Sequence, residues 1–175
     1  MKPQLKFILT ISLFCLIIAC NNNNTQTNSI AYSTNDSNVA IQVTMEGKSF
    51  EIKQNQLIPQ IQTKFQNDSI LLVFRDNDNP LQLNFNLFHT DILQKGSATY
   101  NIPNVNSEKQ TVDLNLFNKD RDVKQMNKRI IFRKGTINIS KITPKGLRMT
   151  FEGEGSGMME YGRSFPISGH INVTF

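Results

Sequence analysis

Leu81-Gln82-Leu83-Asn84-Phe85-Asn86-Leu87 alternates large apolar side chains with amides without a break. In an extended chain successive side chains point to opposite faces, so four apolar groups fall on one face and three amides on the other. A helix would scatter the same residues around its circumference. The stretch therefore reads as a strand with one dry and one wet face, the habit of antiparallel sheets.

The same alternation recurs in Val112-Asp113-Leu114-Asn115-Leu116, Ile137-Asn138-Ile139-Ser140 and Ile171-Asn172-Val173-Thr174-Phe175. Turn-forming residues fall between such runs. Glu46-Gly47-Lys48 separates Ala40 to Met45 from Ser49 to Ile52, Asn67-Asp68 separates Gln60 to Phe65 from Ser69 to Phe74, and Asp76-Asn77-Asp78-Asn79-Pro80 precedes the opening strand. Further turns are expected at Gln94-Lys95-Gly96, Lys134-Gly135 and Pro144-Lys145-Gly146, and a loop over Asn104 to Gln110. Asn118 to Lys128 is the one place where a helical turn is expected, with Val123 and Met126 three apart, and its polarity argues against a full helix. Nine or ten short strands result. They predict an all-β domain, a two-layer antiparallel β-sandwich that is immunoglobulin-like or related, with a small β-barrel as the alternative.

The chain has 175 residues, a formal charge of +5 and two cysteines, Cys15 and Cys20. Met1-Lys2-Pro3-Gln4-Leu5-Lys6 is a cationic start and Phe7 to Ile18 an apolar run too short for a comfortable membrane span, so residues 1–19 read as an export signal. Ile17-Ile18-Ala19-Cys20 resembles a bacterial lipobox, which implies a diacylglycerol on the Cys20 thiol, cleavage before it and a lipoprotein held on a membrane without a spanning helix. Loss of 19 residues leaves 156, enough for one core without disulfides, and no cysteine pair remains to form one. Residues 20–38, rich in Asn, Thr, Ser and Gln, are expected to be a flexible polar tether, and residues 39–175 a single β domain. Asn21 follows the cysteine where an inner-membrane retention signal would resemble Asp. The expectation is an outer-membrane lipoprotein on the periplasmic or extracellular face.

Met45-Glu46-Gly47-Lys48-Ser49-Phe50, Lys95-Gly96-Ser97-Ala98-Thr99-Tyr100-Asn101-Ile102, Gly135-Thr136-Ile137-Asn138-Ile139, Leu147-Arg148-Met149-Thr150-Phe151-Glu152-Gly153 and Ser168-Gly169-His170-Ile171-Asn172-Val173 occur in that order. Together they resemble small envelope lipoproteins of Bacteroidetes with an uncharacterised C-terminal β-sandwich domain. The resemblance spans nearly all of residues 39–175 and implies placement and architecture without chemistry. It departs where His170-Ile171 follows Gly169 in place of an aromatic residue and where the basic stretch from Lys119 to Lys134 intervenes.

Groups able to move protons or hold metals are sparse. His89 and His170 belong to no metal-spaced motif, and no nucleophile is marked. Asp76-Asn77-Asp78-Asn79 has closely spaced oxygens but lacks the twelve-residue calcium-loop pattern, and turn formation explains it without an ion. Glu152 and Glu154 would share a strand face beside Gly153-Glu154-Gly155-Ser156-Gly157, read as a wide hairpin or bulge. Their pairing keeps a carbohydrate-active hydrolase as an alternative. The glycine run lacks the Lys-Ser or Lys-Thr of a phosphate loop. No catalytic residue, metal or cofactor is assigned. Asp68-Ser69-Ile70 resembles a short O-glycosylation signal of exported Bacteroidetes proteins.

Charge is more informative. Removal of Lys2 and Lys6 lowers the net value to +3, yet Lys119, Arg121, Lys124, Lys128, Arg129, Arg133 and Lys134 stand against only Asp120 and Asp122 in their stretch, a local +5. This cluster is the candidate site for an acidic glycan, a lipid surface or an acidic protein partner. Nucleic acid is not expected, since export places the protein away from it. The leading expectation is a noncatalytic envelope lipoprotein with weak binding through loops. Structural self-association is a further alternative.

Overall fold

The computed structural model describes residues 38–57, 64–66, 69–88, 91–104 and 112–175. The leader, Cys20, nearly all of the tether, His89 and Asn67-Asp68 lie outside them. The described residues belong to the unit Asn35–Phe175. In chain order they form β1 (Val39–Met45), β2 (Lys48–Lys53), a 3-10 turn (Gln54–Gln56), β3 (Lys64–Gln66), β4 (Ser69–Arg75), β5 (Leu81–Leu87), the single turn α1 (Ile92–Lys95), β6 (Ala98–Ile102), β7 (Val112–Asn118), a second 3-10 turn (Gln125–Lys128), β8 (Arg129–Thr143), β9 (Gly146–Gly157) and β10 (Phe165–Thr174). The helical turn expected after Asn118 is this second 3-10 turn. Two others, at 54–56 and 92–95, have no apolar periodicity to announce them.

Every strand pair is antiparallel. In β5 the expected alternation is realised: Leu81, Leu83, Phe85 and Leu87 are buried while Gln82, Asn84 and Asn86 are partly exposed. Phe85 stands opposite Leu72 of β4 and Leu114 of β7, and Leu83 opposite Phe74 and Leu116, so apolar rows run across three strands. Each such side chain contributes at most about 1.5–3 kcal/mol of burial relative to exposure.

The strands do not divide into two separately paired sheets, as a sandwich would require. They run in one order, β2-β1-β10-β9-β8-β7-β5-β4-β3, with β6 branching from β8. One core cluster nevertheless gathers Ile41 and Val43 from β1 near one end of this order with Leu72 and Phe74 from β4 near the other. With no long helix among the described residues to cover the apolar face, the sheet covers it by curling. The result is one strongly curled, open, half-barrel sheet. Asn79 in the β4–β5 turn donates its side-chain amide to the Glu51 carbonyl of β2 at 2.8 Å, linking the two arms of the curl.

β8 and β9 are the longest strands, and β8 pairs with three others. Residues Asn115 to Phe117 of β7 pair with Arg129 to Ile131 of β8, and β6 pairs with Gly135 to Ile139 of the same strand, while β9 lines its other side. Between the two halves lies a register shift at Phe132/Lys134. Lys134-Gly135, expected as a turn, is thus a bulge inside a fifteen-residue strand, with Gly135 at φ 140°. Its cross-strand partner Gly153 approaches so closely that an added Cβ would enter the Lys134 carbonyl oxygen and lie 2.7 Å from Gly135 Cα. Phe132 stacks edge-on against Phe151 beside this point, with centroids 6.0 Å apart. The Gly153–Gly157 run is correspondingly the end of β9, not a hairpin loop; the reversal comes at residues 158–164. His170 sits within β10.

Replacing Gly153 by Ala should therefore cost about 2–3 kcal/mol, because backbone atoms on the facing strand would have to move. Thr150→Ala, exposed on the same strand, should change stability by no more than about 0.5 kcal/mol. Urea unfolding of the two variants checks the contrast.

Candidate anion-binding site

The basic cluster lies on the β7–β8 connection and the first residues of β8. Lys119 and Asp120 form a turn locked by Asn118, whose side-chain oxygen accepts the Asp120 amide at 3.0 Å. From there the chain passes Arg121, the residue around which the local structure is built.

Arg121 is only 10% exposed and faces two carboxylates from distant parts of the chain. Its Nε and Nη2 engage Glu46 of the β1–β2 turn at 2.9–3.0 Å, and Nη2 also reaches Glu160 of the β9–β10 loop at 2.7 Å. Nη1 donates to the Asn127 carbonyl, and the guanidinium lies 5.4 Å from the centroid of the Phe165 ring. Burial alone would favour losing the proton, but hydrogen bonds to Glu46 and Glu160 outweigh it and hold the guanidinium more firmly charged than usual. Glu46 occupies a left-handed conformation, φ 51°, that a non-glycine residue adopts at a cost. Arg121 is therefore a staple for three connections, and it is spent internally instead of being offered to an anion.

Other cations are also engaged. Arg129 Nε donates to Asn115 Oδ1 at 3.3 Å, and Lys128 Nζ donates to the Lys119 carbonyl at 2.6 Å. Arg133 donates to Ser156 Oγ and the Met158 carbonyl and lies 4.8 Å from the Tyr161 ring centroid. Lys119, Lys124 and Lys134 are exposed and make no ion pair or side-chain hydrogen bond among the described residues. These three are the cations of the cluster whose side chains are not already engaged, and Lys134 stands opposite Glu154 in the β8–β9 register. Sequence proximity overstated the patch, because Glu46 and Glu160 enter it from elsewhere and offset part of the local +5.

On the β7–β8 and β9–β10 connections, Met126, Met159 and Tyr161 are exposed, although no sequence motif marks them as functional. Asn127 connects their loops by accepting the Met159 amide at 3.1 Å. The available signal was Met158-Met159 and Tyr161 in a turn-rich segment, where no strand alternation required apolar residues.

Glu152 and Glu154 do share a face of β9, and both are exposed on it; Glu154 accepts the Ser164 hydroxyl at 3.3 Å. His170 lies between Gln42 of β1 and Thr150 of β9 in the register. Gln42 in turn donates to Glu51 at 2.9 Å. Desolvation pushes the imidazole below its ordinary 6.5, with the Glu51 charge opposing. Asp76 accepts the Asp78 amide at 3.2 Å and Asn79 the Leu81 amide at 3.0 Å, so oxygens of the calcium-loop candidate serve the turn. No group of three His, Cys, Asp or Glu suited to a metal occurs among the described residues. Ser69 opens β4 and is partly buried.

No protein-family model, curated protein or solved structure matches this chain. Function must be argued from these contacts.

Arg121→Ala would leave Glu46 and Glu160 without their shared cation and should destabilise the domain by about 3 kcal/mol in chemical denaturation. His170 supplies a separate test. Its folded-state pKa is lowered, so its unfolded form takes up the proton first and stability falls as pH drops below 6.5 toward the folded value. Denaturation midpoints over that interval should decline less in His170→Gln than in the parent.

Proposed function

We propose that this chain is a noncatalytic, membrane-anchored binding module, attached through a lipidated Cys20, whose braced β7–β8 and β9–β10 connections meet an anionic surface. The observation that carries the reading is the division of labour among the cations. Arg121 is buried and doubly paired, which holds the loops in place. Lys119 and Lys124 of the β7–β8 connection and Lys134 of β8 stand exposed. Preorganised loops lose less conformational freedom on binding, so even a few charges can be used effectively. The lipobox-like Ile17-Ile18-Ala19-Cys20 and Asn21 after it support outer-membrane placement, with the domain on either face.

A second reading is self-association. The curled sheet is open, and its terminal strands β2 and β3 are each paired on one side only. Unpaired edges are templates for strand addition by another copy. On β2, Lys48, Glu51 and Lys53 are exposed and Asn79 already occupies one carbonyl, which blunts that edge. We therefore rank edge pairing second. Glu152 and Glu154, exposed on β9, give a hydrolase reading no observation of its own.

One set of samples distinguishes the first two readings. Residues 35–175, which contain the whole described core, should be retained on an acidic polysaccharide matrix at low salt and released near about 0.1 M salt, where the screening length is about 10 Å. Changing Lys119, Lys124 and Lys134 together to Gln should abolish that retention; equal retention rejects the anionic-surface reading. Sedimentation of the same samples should give the mass of one chain. A larger mass, unaltered by the substitutions, would favour edge pairing.

A further inference from the structure

Among the described residues, four large apolar side chains are exposed, and three of them lie on the β7–β8 and β9–β10 connections that Asn127 joins: Met126 at 52%, Met159 at 56% and Tyr161 at 75%. They are not scattered by chance along a mobile tail. Met126 belongs to the 3-10 turn before β8, and the next residue, Asn127, bonds both to Arg121 through its carbonyl and to the Met159 amide through its side chain. Glu160, between Met159 and Tyr161, is held by Arg121 at 2.7 Å. Arg133 fixes the Tyr161 ring from one side. The fold thus uses ion pairs and hydrogen bonds to keep apolar groups in water, where they gain nothing for the isolated domain.

We propose that Met126, Met159 and Tyr161 form a shallow insertion tip that seats the domain on an anionic lipid bilayer, with Lys119, Lys124 and Lys134 contacting the headgroups. This rests on the anionic-surface reading and names its partner. Unbranched methionine side chains have no donors for sugar hydroxyls, and their flexible thioethers adapt to an irregular apolar environment. Tyrosine carries an apolar ring and a polar hydroxyl, the combination that settles at a membrane interface. Protein interfaces, by contrast, are depleted in lysine at their centres. Charge attraction brings the tip to the surface and apolar burial holds it there, the two contributions that govern interfacial association.

The chain has no tryptophan, so Tyr161→Trp introduces a single reporter. Residues 35–175 carrying it are mixed with vesicles of phosphatidylglycerol and phosphatidylcholine, and with vesicles of phosphatidylcholine alone. Emission should shift to the blue on the anionic vesicles only, and salt should reverse the shift. Two further variants are sedimented with the anionic vesicles and applied to the polysaccharide matrix. Changing the three lysines to Gln should weaken vesicle partitioning about a hundredfold and remove matrix retention. Changing Met126, Met159 and Tyr161 to Ser should release the protein from vesicles while leaving matrix retention intact. Parent-like vesicle binding by the Ser variant, or absence of a blue shift, overturns insertion while leaving the anionic-surface reading in place. Retention on the matrix with no vesicle binding by the parent assigns the site to glycans. Failure of the parent on both supports removes the underlying reading as well.

Discussion

A single sheet has to cover its own apolar face. Most of the architecture follows from that constraint. Strands such as β5 bury every second residue completely, and the described residues include no helix longer than one turn to lie across them. Pairing β1 with β10 joins the early and late parts of the chain, and curling then sets β1 and β2 against β4 and β5 around a shared core. The close approach of Gly135 and Gly153 belongs to the same economy. Removing side chains at one cross-strand pair lets β8 change direction, so that it can serve β7 with one half and β6 with the other.

Curling also gathers connections that are remote in sequence, and the Arg121 cluster exploits this. One guanidinium meets carboxylates at positions 46 and 160, from the first and last hairpins of the described fold. Such a buried group contributes little net stability over an apolar replacement of similar shape, but deleting it alone strands its partners. Its value lies in fixing geometry. Glu46 is a case in point: a left-handed glutamate is not what the turn prefers, yet that residue supplies the carboxylate Arg121 needs.

What was legible in the sequence had a local cause. Period-two alternation placed β5, β7 and the central part of β8, and Gly47 announced the first hairpin because its turn takes positive φ at both central positions. Lys134-Gly135 misled because glycine marks a bulge as readily as a turn; only the continuation of pairing on β9 distinguishes them. The run Gly153 to Gly157 misled for the same reason, its small residues serving close approach within a strand. One sheet against two could not be read at all, since alternation states that a face is buried but not what buries it. At the candidate site the cations were visible, but their availability was not. Arg121, Arg129 and Arg133 find partners through tertiary folding, and those partners stand 75, 14 and 23 residues away.

The direction of β1 bears on how a lipid-anchored domain could present this site. β1 begins at Val39, where the polar segment ends, and finishes at the Glu46 turn that Arg121 grips. Seven strand residues span about 23 Å, so Val39 and the Glu46 turn lie at opposite ends of that strand. The 19 residues from 20 to 38 set a covalent limit of about 65 Å when fully extended. That reach exceeds the strand length, so a lipid on Cys20 would leave the tip able to return to the same bilayer. Lipid attachment and loop contact would then act as two linked associations. The second would benefit from the high effective concentration created by the first, so three lysines and three apolar side chains whose own contact is salt-reversible would suffice to orient a domain already at the surface.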